Sequence, residues 1–184
     1  MSYSTVPAYI QHVKGWETRC REHPVIDWMF DYEAAFDWGD MKSGPYTTWH
    51  ADDFSFTKST GERIAAGAPS WAAVLEIVAP FSAHYFEPFF CVIWETPTGY
   101  EFLGLAKIFG KLHAPGEQTK TDLEGRKWDV EAPVASHFEF VKDISGPKGL
   151  KLKNQKLFAD GIPMIGEMVK RGMVTPEQIL AQAS

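Results

Sequence analysis

Cysteine is nearly missing from this chain: Cys20 and Cys91 are the only two in 184 residues. They have neither CxxC spacing nor a dense framework, which argues against a disulfide scaffold and a cysteine-rich zinc site and points to a reducing compartment. Positive charge is also short. Eighteen Lys and Arg against 24 Asp and Glu leave a net charge of −6 with no basic run, so neither nucleic acid nor an anionic membrane surface is expected as a partner. No stretch approaches the ~20 apolar residues of a membrane span. The opening MSYSTVPAYIQHVKGW lacks the basic and then apolar order of a secretory leader, and a soluble, cytoplasmic protein is expected. GxSxG, HExxH, Walker and GxGxxG motifs are all missing, which removes support for a hydrolase elbow, a zincin or a nucleotide site. No cofactor and no metal is expected.

Aromatic residues, by contrast, are abundant: 13 Phe, 7 Trp and 6 Tyr in a chain that is 45% hydrophobic and 23% charged. That composition belongs to a folded globule, and the length suits one domain over residues 1–184. The aromatic surplus suits a site for something flat and apolar, a large apolar cavity, or a subunit interface.

The stretch His23 to Asp40, HPVIDWMFDYEAAFDWGD, reads as an amphipathic helix starting on Pro24 and stopping near Gly39. At 100° per residue, Val25, Trp28, Met29, Tyr32 and Phe36 form one apolar arc, with Asp27, Asp31 and Trp38 opposite. Asp37 falls between Ile26 and Phe30, and Glu33 lies one turn earlier on that flank, so both carboxylates should point inward. A carboxylate taken out of water has its pKa raised, as a general acid or base near neutral pH requires. An acid near a helix end also commonly reaches round to solvent or a loop.

Around this helix, Pro7 to Glu22 reads as a first helix, with Ile10, Val13, Lys14 and Glu17 at helical spacing. TTWHADDFSFTKSTGERIAAG reads as a strand, a turn at Gly61 and a shorter returning strand. Ser70 caps a helix over SWAAVLEIVAPF that Pro80 ends. SAHYFEP leads into FFCVIWET, and the Pro97-Thr98-Gly99 turn joins it to GYEFLGLAKIFGKLHA as a hairpin. GEQTKTDLEGRK reads as an exposed loop, WDVEAPVASHFEFVKD as a long strand, and LKLKNQKLFAD as the last one. IPMIGEMVKRG and a short helix capped by Thr175 and Gln178 close the chain. Helices first, then antiparallel strands, then helix again is an α+β order.

That order, together with Phe36-Asp37 in EAAFDWGDM, His84 in SAHYFEP and His137 in ASHFEF, resembles the nuclear transport factor-like (SnoaL-like) superfamily, and within it scytalone dehydratase and related polyketide cyclases and isomerases. The resemblance implies a cone-shaped barrel of a strongly curved, mostly antiparallel sheet, with N-terminal helices closing a deep pocket. It implies an Asp and a His facing each other across that pocket, His137 at the strand position of an active-site Asn, and a homodimer through the outer sheet face. The chain departs from the dehydratase pattern where Phe36 replaces a Tyr, Phe109 a second His, and Lys58 or Asp53 another Tyr. These departures put elimination of water from scytalone itself in doubt.

On the residues alone, His84 lies between a bent helix and an apolar strand, and an Asp–His pair there suits proton shuttling. Strand alternation puts His137 with Ala135 and Glu139, opposite Ser136, Phe138 and Phe140. If the Phe138 face lines the pocket, His137 is outside; the resemblance implies the reverse. Lys107 is ambiguous in the same way. It could hold an enolate beside Phe109 or reach to solvent. His50, Asp52 and Asp53 do not share one strand face, and Tyr46 with Trp49 reads as packing rather than metal binding.

The resulting expectation is a cofactor-free acid–base lyase, isomerase or cyclase acting on a hydrophobic, polyketide- or terpenoid-like metabolite. Asp37, His84 and His137 would be catalytic. Trp28, Met29, Glu33, Phe54, Trp94, Lys107, Phe109, Phe138 and Phe158 would contact the substrate. The alternative is a binding or dimerisation module of the same fold without chemistry. Epoxide opening ranks lower because it would need a buried Arg between two carboxylates.

Overall fold

The computed structural model describes residues 7–37, 41 and 43–182. In chain order these form strand β1 (Ala8–His12), helix α1 (Pro24–Asp37), β2 (His50–Thr57), α2 (Ala68–Val78), β3 (Phe81–Glu95) and β4 (Gly99–Leu112). Then come the two-residue strands β5 (Lys120–Thr121) and β6 (Lys127–Trp128), β7 (Val130–Lys142), β8 (Leu150–Ala159), α3 (Ile162–Lys170) and α4 (Pro176–Gln182). The main sheet has six strands in the order β1-β3-β4-β7-β8-β2. Among the described residues, only β2 and β8 pair in parallel. The fold is therefore α+β around a curved, mostly antiparallel sheet, as the element order implied. No helix among the described residues is long and apolar enough to cross a membrane.

The first expected helix is not one. Ala8, Ile10 and His12 are exposed while Tyr9 and Gln11 are half-buried, a period of two. Tyr9 pairs with Ile93 and Gln11 with Cys91 along β3. The helical spacing of Ile10, Val13 and Lys14 loses to backbone bonds that an open sheet edge offers far along the chain, a tertiary term no local pattern contains. What remains helical is one 3-10 turn at Thr18–Glu22.

Helix α1 starts on Pro24 as expected, while the expected stop at Gly39 lies outside the described residues. Its inner arc packs on the sheet: Trp28 is fully buried, stacks on Tyr32 at 4.7 Å, meets Phe140 edge-on at 5.0 Å and donates its indole N–H to the Leu150 carbonyl at 3.1 Å. Asp27 and Asp31 face outward, where Arg21 and Lys148 pair with both.

Ser70 is not the cap of α2, which begins at Ala68 behind Gly67. Its buried hydroxyl instead donates to the Ala65 carbonyl at 2.8 Å and accepts from the Phe56 N–H at 3.0 Å, tying α2 to β2. The returning strand after Gly61 is a single bridge between Thr57 and Arg63. SAHYFEP does not precede a strand but is its first half, since β3 runs unbroken from Phe81. The expected loop at 116–127 carries the small β5–β6 hairpin. At the end, Thr175 and Gln178 bond reciprocally, backbone N–H to side-chain oxygen, in the capping box read from the sequence.

Candidate active site

Glu33 and Asp37 lie one helical turn apart on the flank of α1 that turns toward the sheet, and both are out of water. Glu33 is 9% exposed and the Asp37 side chain 2%. The wheel position of each explains this, since both fall beside the apolar arc that anchors the helix. Burial, and then the charge of Asp37, pushes the Glu33 carboxyl well above the usual carboxylate range. Its Oε2 is buried with no hydrogen-bond partner among the described residues.

Opposite Asp37 stands His84, near the start of β3. Its Nδ1 lies 2.6 Å from Oδ1 of Asp37, and the imidazole is fully buried. Phe36 packs against the ring at 4.9 Å, Phe86 at 6.1 Å and Phe81 at 6.5 Å. The two groups expected to meet do meet, in an apolar shell.

Between α1 and the sheet lies a cavity of about 60 Å³. Its walls are mostly apolar: Met29, Phe36, Phe86, Phe102 and Phe138 among others. The register places the floor on one face, pairing Phe102 with Phe138, Gly104 with Ser136, and Phe138 with Gln155. Tyr32, Glu33, Ser136 and Gln155 are the polar side chains of the lining, and Trp16, also part of it, donates its indole N–H to the Phe86 carbonyl at 2.7 Å. Gln155 Oε1, like Glu33 Oε2, is buried with no hydrogen-bond partner among the described residues. Asp37 and His84 are not themselves wall residues. Phe36 and Phe86 belong both to the wall and to the shell around His84, so the pair lies directly behind those two rings.

A second buried imidazole flanks the site. His50 donates from Nδ1 to the Tyr46 carbonyl at 2.9 Å and accepts at Nε2 from the Tyr32 hydroxyl at 3.1 Å. Burial lowers its pKa to about 4, so it is a neutral prop that commits the Tyr32 proton. Its surroundings are packing, as read from the sequence, and the described residues contain no group of His, Cys, Asp and Glu that could hold a metal.

Of the expected substrate contacts, Met29, Glu33 and Phe138 line the cavity. The others do not. His137 sits on the outer face, its Nε2 2.8 Å from a Glu101 oxygen and its ring stacked on Trp94 at 6.3 Å. The Phe138 face is the inner one, and alternation decides against the position that the resemblance implied. Lys107 is outside for the same reason, 3.5 Å from Glu131. Phe109 shares that outer phase but is fully buried, because Trp128 covers it and forms a separate cluster with Tyr85. Phe158 is 49% exposed, also outward. Trp94 is turned out by a bulge: Pro88 pairs with Ala106 but Phe90 with Leu105, so the phase of β3 flips beyond Phe89. Trp28 and Phe54 are core, the latter against His50 at 4.4 Å. Asp53 and Lys58 make surface ion pairs with Lys153 and Glu62.

Ser136, Gln155, Tyr32 and Trp16 were not among the expected contacts. Ser136 and Gln155 had a signal, since each stands two residues from an inward apolar neighbour, Phe138 and Leu157 respectively. Trp16 had none, because its place depends on β1 pairing across the sheet.

No family model and no curated protein matches the chain. Solved structures do. A protein assigned as a SnoaL-like polyketide cyclase from Shewanella denitrificans superposes with a TM-score of 0.52 at 14% identity, over 78% of this chain and 96% of that one. Hexachlorocyclohexane dehydrochlorinase LinA-type3 from Novosphingobium barchaimii gives 0.51 at 11%, over 74% and 84%. Nuclear transport factor 2 from Cryptosporidium parvum gives 0.50 at 10%, over 73% and 90%. The chain has the nuclear transport factor-like (SnoaL-like) fold. At these identities the likeness carries the fold, and function rests on the site.

Proposed function

We propose that this chain is a cofactor-independent acid–base enzyme, a lyase, isomerase or cyclase, acting on a small hydrophobic molecule bound between α1 and the sheet. The observation that carries the reading is the Asp37–His84 contact, 2.6 Å long and sealed in aromatic side chains. With Nδ1 turned to the carboxylate, the imidazole would be the base that takes a proton from a carbon next to a carbonyl and returns it elsewhere. Asp37 orients the ring and balances its charge. A polyketide cyclase and a dehydrochlorinase among the structural neighbours accord with elimination or proton-transfer chemistry in this scaffold. The cavity is smaller than the about 150 Å³ apolar hole that accepts benzene. A polyketide- or terpenoid-sized substrate therefore binds only as Phe36 or Phe86 swings aside, and the same movement brings it to His84.

Asp37→Asn keeps the shape and removes the charge. In a screen of small carbonyl compounds followed by mass spectrometry, the variant should retain its melting temperature and lose roughly 10²–10⁴-fold in turnover. Turnover at the wild-type rate in both Asp37→Asn and His84→Gln would overturn the assignment. A second reading, a binding module without chemistry, is favoured by one observation: neither Asp37 nor His84 belongs to the cavity wall. Under that reading ligands bind wild type and variant alike and are recovered unchanged.

A further inference from the structure

Two buried oxygens of cavity-lining residues have no hydrogen-bond partner among the described residues: Oε2 of Glu33 on α1 and Oε1 of Gln155 on β8. Unmet polar atoms in an apolar enclosure are costly, and native structures keep them where a water or ligand completes the set. Glu33 and Gln155 do not satisfy each other, so whatever completes them has to meet each separately. Their chemistry differs as well. Enclosure, and a second carboxylate beside it, disfavour the charged form of the Glu33 carboxyl group and favour the form that offers an O–H. An amide oxygen only accepts. Of the other polar groups of the wall, Tyr32 gives its proton to His50 and Trp16 its N–H to a backbone carbonyl, while Ser136 adds a hydroxyl that can donate or accept.

We infer that Glu33 and Gln155 are a two-point recognition site, the Glu33 carboxylic acid donating to a ligand carbonyl and the Gln155 amide accepting from a ligand hydroxyl or N–H. The ligand class that this selects is a small, branched, otherwise apolar hydroxy ketone. The inference rests on the reading that this cavity is the ligand site, but not on any turnover. If chemistry follows, Glu33 is also the group facing the oxygen on which negative charge develops when a neighbouring carbon loses its proton. The proton stays shared along that hydrogen bond and returns when the carbonyl re-forms.

Three probes of similar size, each larger than the closed cavity and so admitted by the same movement of Phe36 or Phe86, separate the contributions: diacetone alcohol, methyl isobutyl ketone and isohexane, titrated against the whole protein and followed by Trp fluorescence and side-chain NMR of Gln155. The expected order of affinity is hydroxy ketone, then ketone, then hydrocarbon, with each step about tenfold for one buried hydrogen bond. Glu33→Leu should collapse the second step alone and Gln155→Leu the first alone. On the wild-type protein, infrared spectra of glutamate labelled with carbon-13 should show a carboxylic acid carbonyl band at neutral pH that is absent from Glu33→Gln. A flat affinity order, or a spectrum without that band, overturns the inference. The ordered affinities without product, in wild type and Asp37→Asn alike, leave it standing and defeat the enzymatic reading. Turnover dependent on Asp37 with a flat affinity order does the opposite.

Discussion

Two contacts between an imidazole and a carboxylate occupy opposite faces of the same sheet, and they differ in little but water. On the inner face, His84 and Asp37 stand 2.6 Å apart with side chains 0% and 2% exposed. On the outer face, His137 and Glu101 stand 2.8 Å apart at 27% and 31%. Residue types and distances are nearly matched, and sequence alone treated both histidines as catalytic. In the open pair, solvent screens the charges and each group finds water when it loses the other. In the closed pair both groups are out of water, and solvent does not replace a partner that is lost. Dependence of that kind is what lets a pair hold a proton in one place.

The largest effect expected from this contrast is on stability. His84→Ala removes the imidazole from beside a buried carboxylate and should cost ~3–5 kcal/mol, the range for losing one member of a buried ion pair. His137→Ala, measured by the same urea titration, should stay within about 1 kcal/mol. Comparable losses from both would mean that the aromatic shell around His84 admits water, and the distinction between the faces would fall.

A third imidazole isolates burial from pairing. His50 is enclosed like His84 but has a tyrosine and a backbone carbonyl for neighbours rather than a carboxylate, and its pKa drops to about 4 from 6.5. A base whose folded pKa lies below its unfolded one holds fewer protons when folded. Its contribution is therefore complete above the unfolded pKa and is lost as pH falls through the window from about 6.5 to 4. The size of the loss is on the order of 3 kcal/mol. His50→Gln keeps a donor and an acceptor but cannot titrate. The stability difference between wild type and variant should shrink in wild type's disfavour across that window, and a difference independent of pH would show that His50 is accessible to protons.

What could be read from sequence divides along the same lines as the structure. Helix periodicity placed Glu33 and Asp37 inward because α1 is one regular element whose apolar arc fixes its rotation. His84 followed from its setting between apolar residues. Strand facings were harder, because a period of two has no internal marker for which phase is inside. The bulge at Phe89 then reverses the phase midway, carrying Trp94 outward. Phe109 shows the second difficulty: its burial comes from Trp128, which reaches it through a polar stretch that reads as an exposed loop. β1 shows a third, since its partner strand lies some eighty residues further on. Local rules therefore found the helix-borne half of the site, while Ser136 and Gln155, the strand-borne half, needed the sheet to be assembled.

The outer pair gives the smallest effect and the sharpest control. Glu101→Gln removes the charge but leaves an acceptor near His137, whose ring remains stacked on Trp94. The change in stability should be under about 0.5 kcal/mol at low salt and should vanish as ionic strength rises, because a pair this open is screened over a Debye length of roughly 8–10 Å. The matching replacement inside, Asp37→Asn, should keep its effect on turnover at every salt concentration. If instead Glu101→Gln impaired turnover, ligand binding would extend to the outer face, and the assignment of the inner face as the site of chemistry would have to be abandoned.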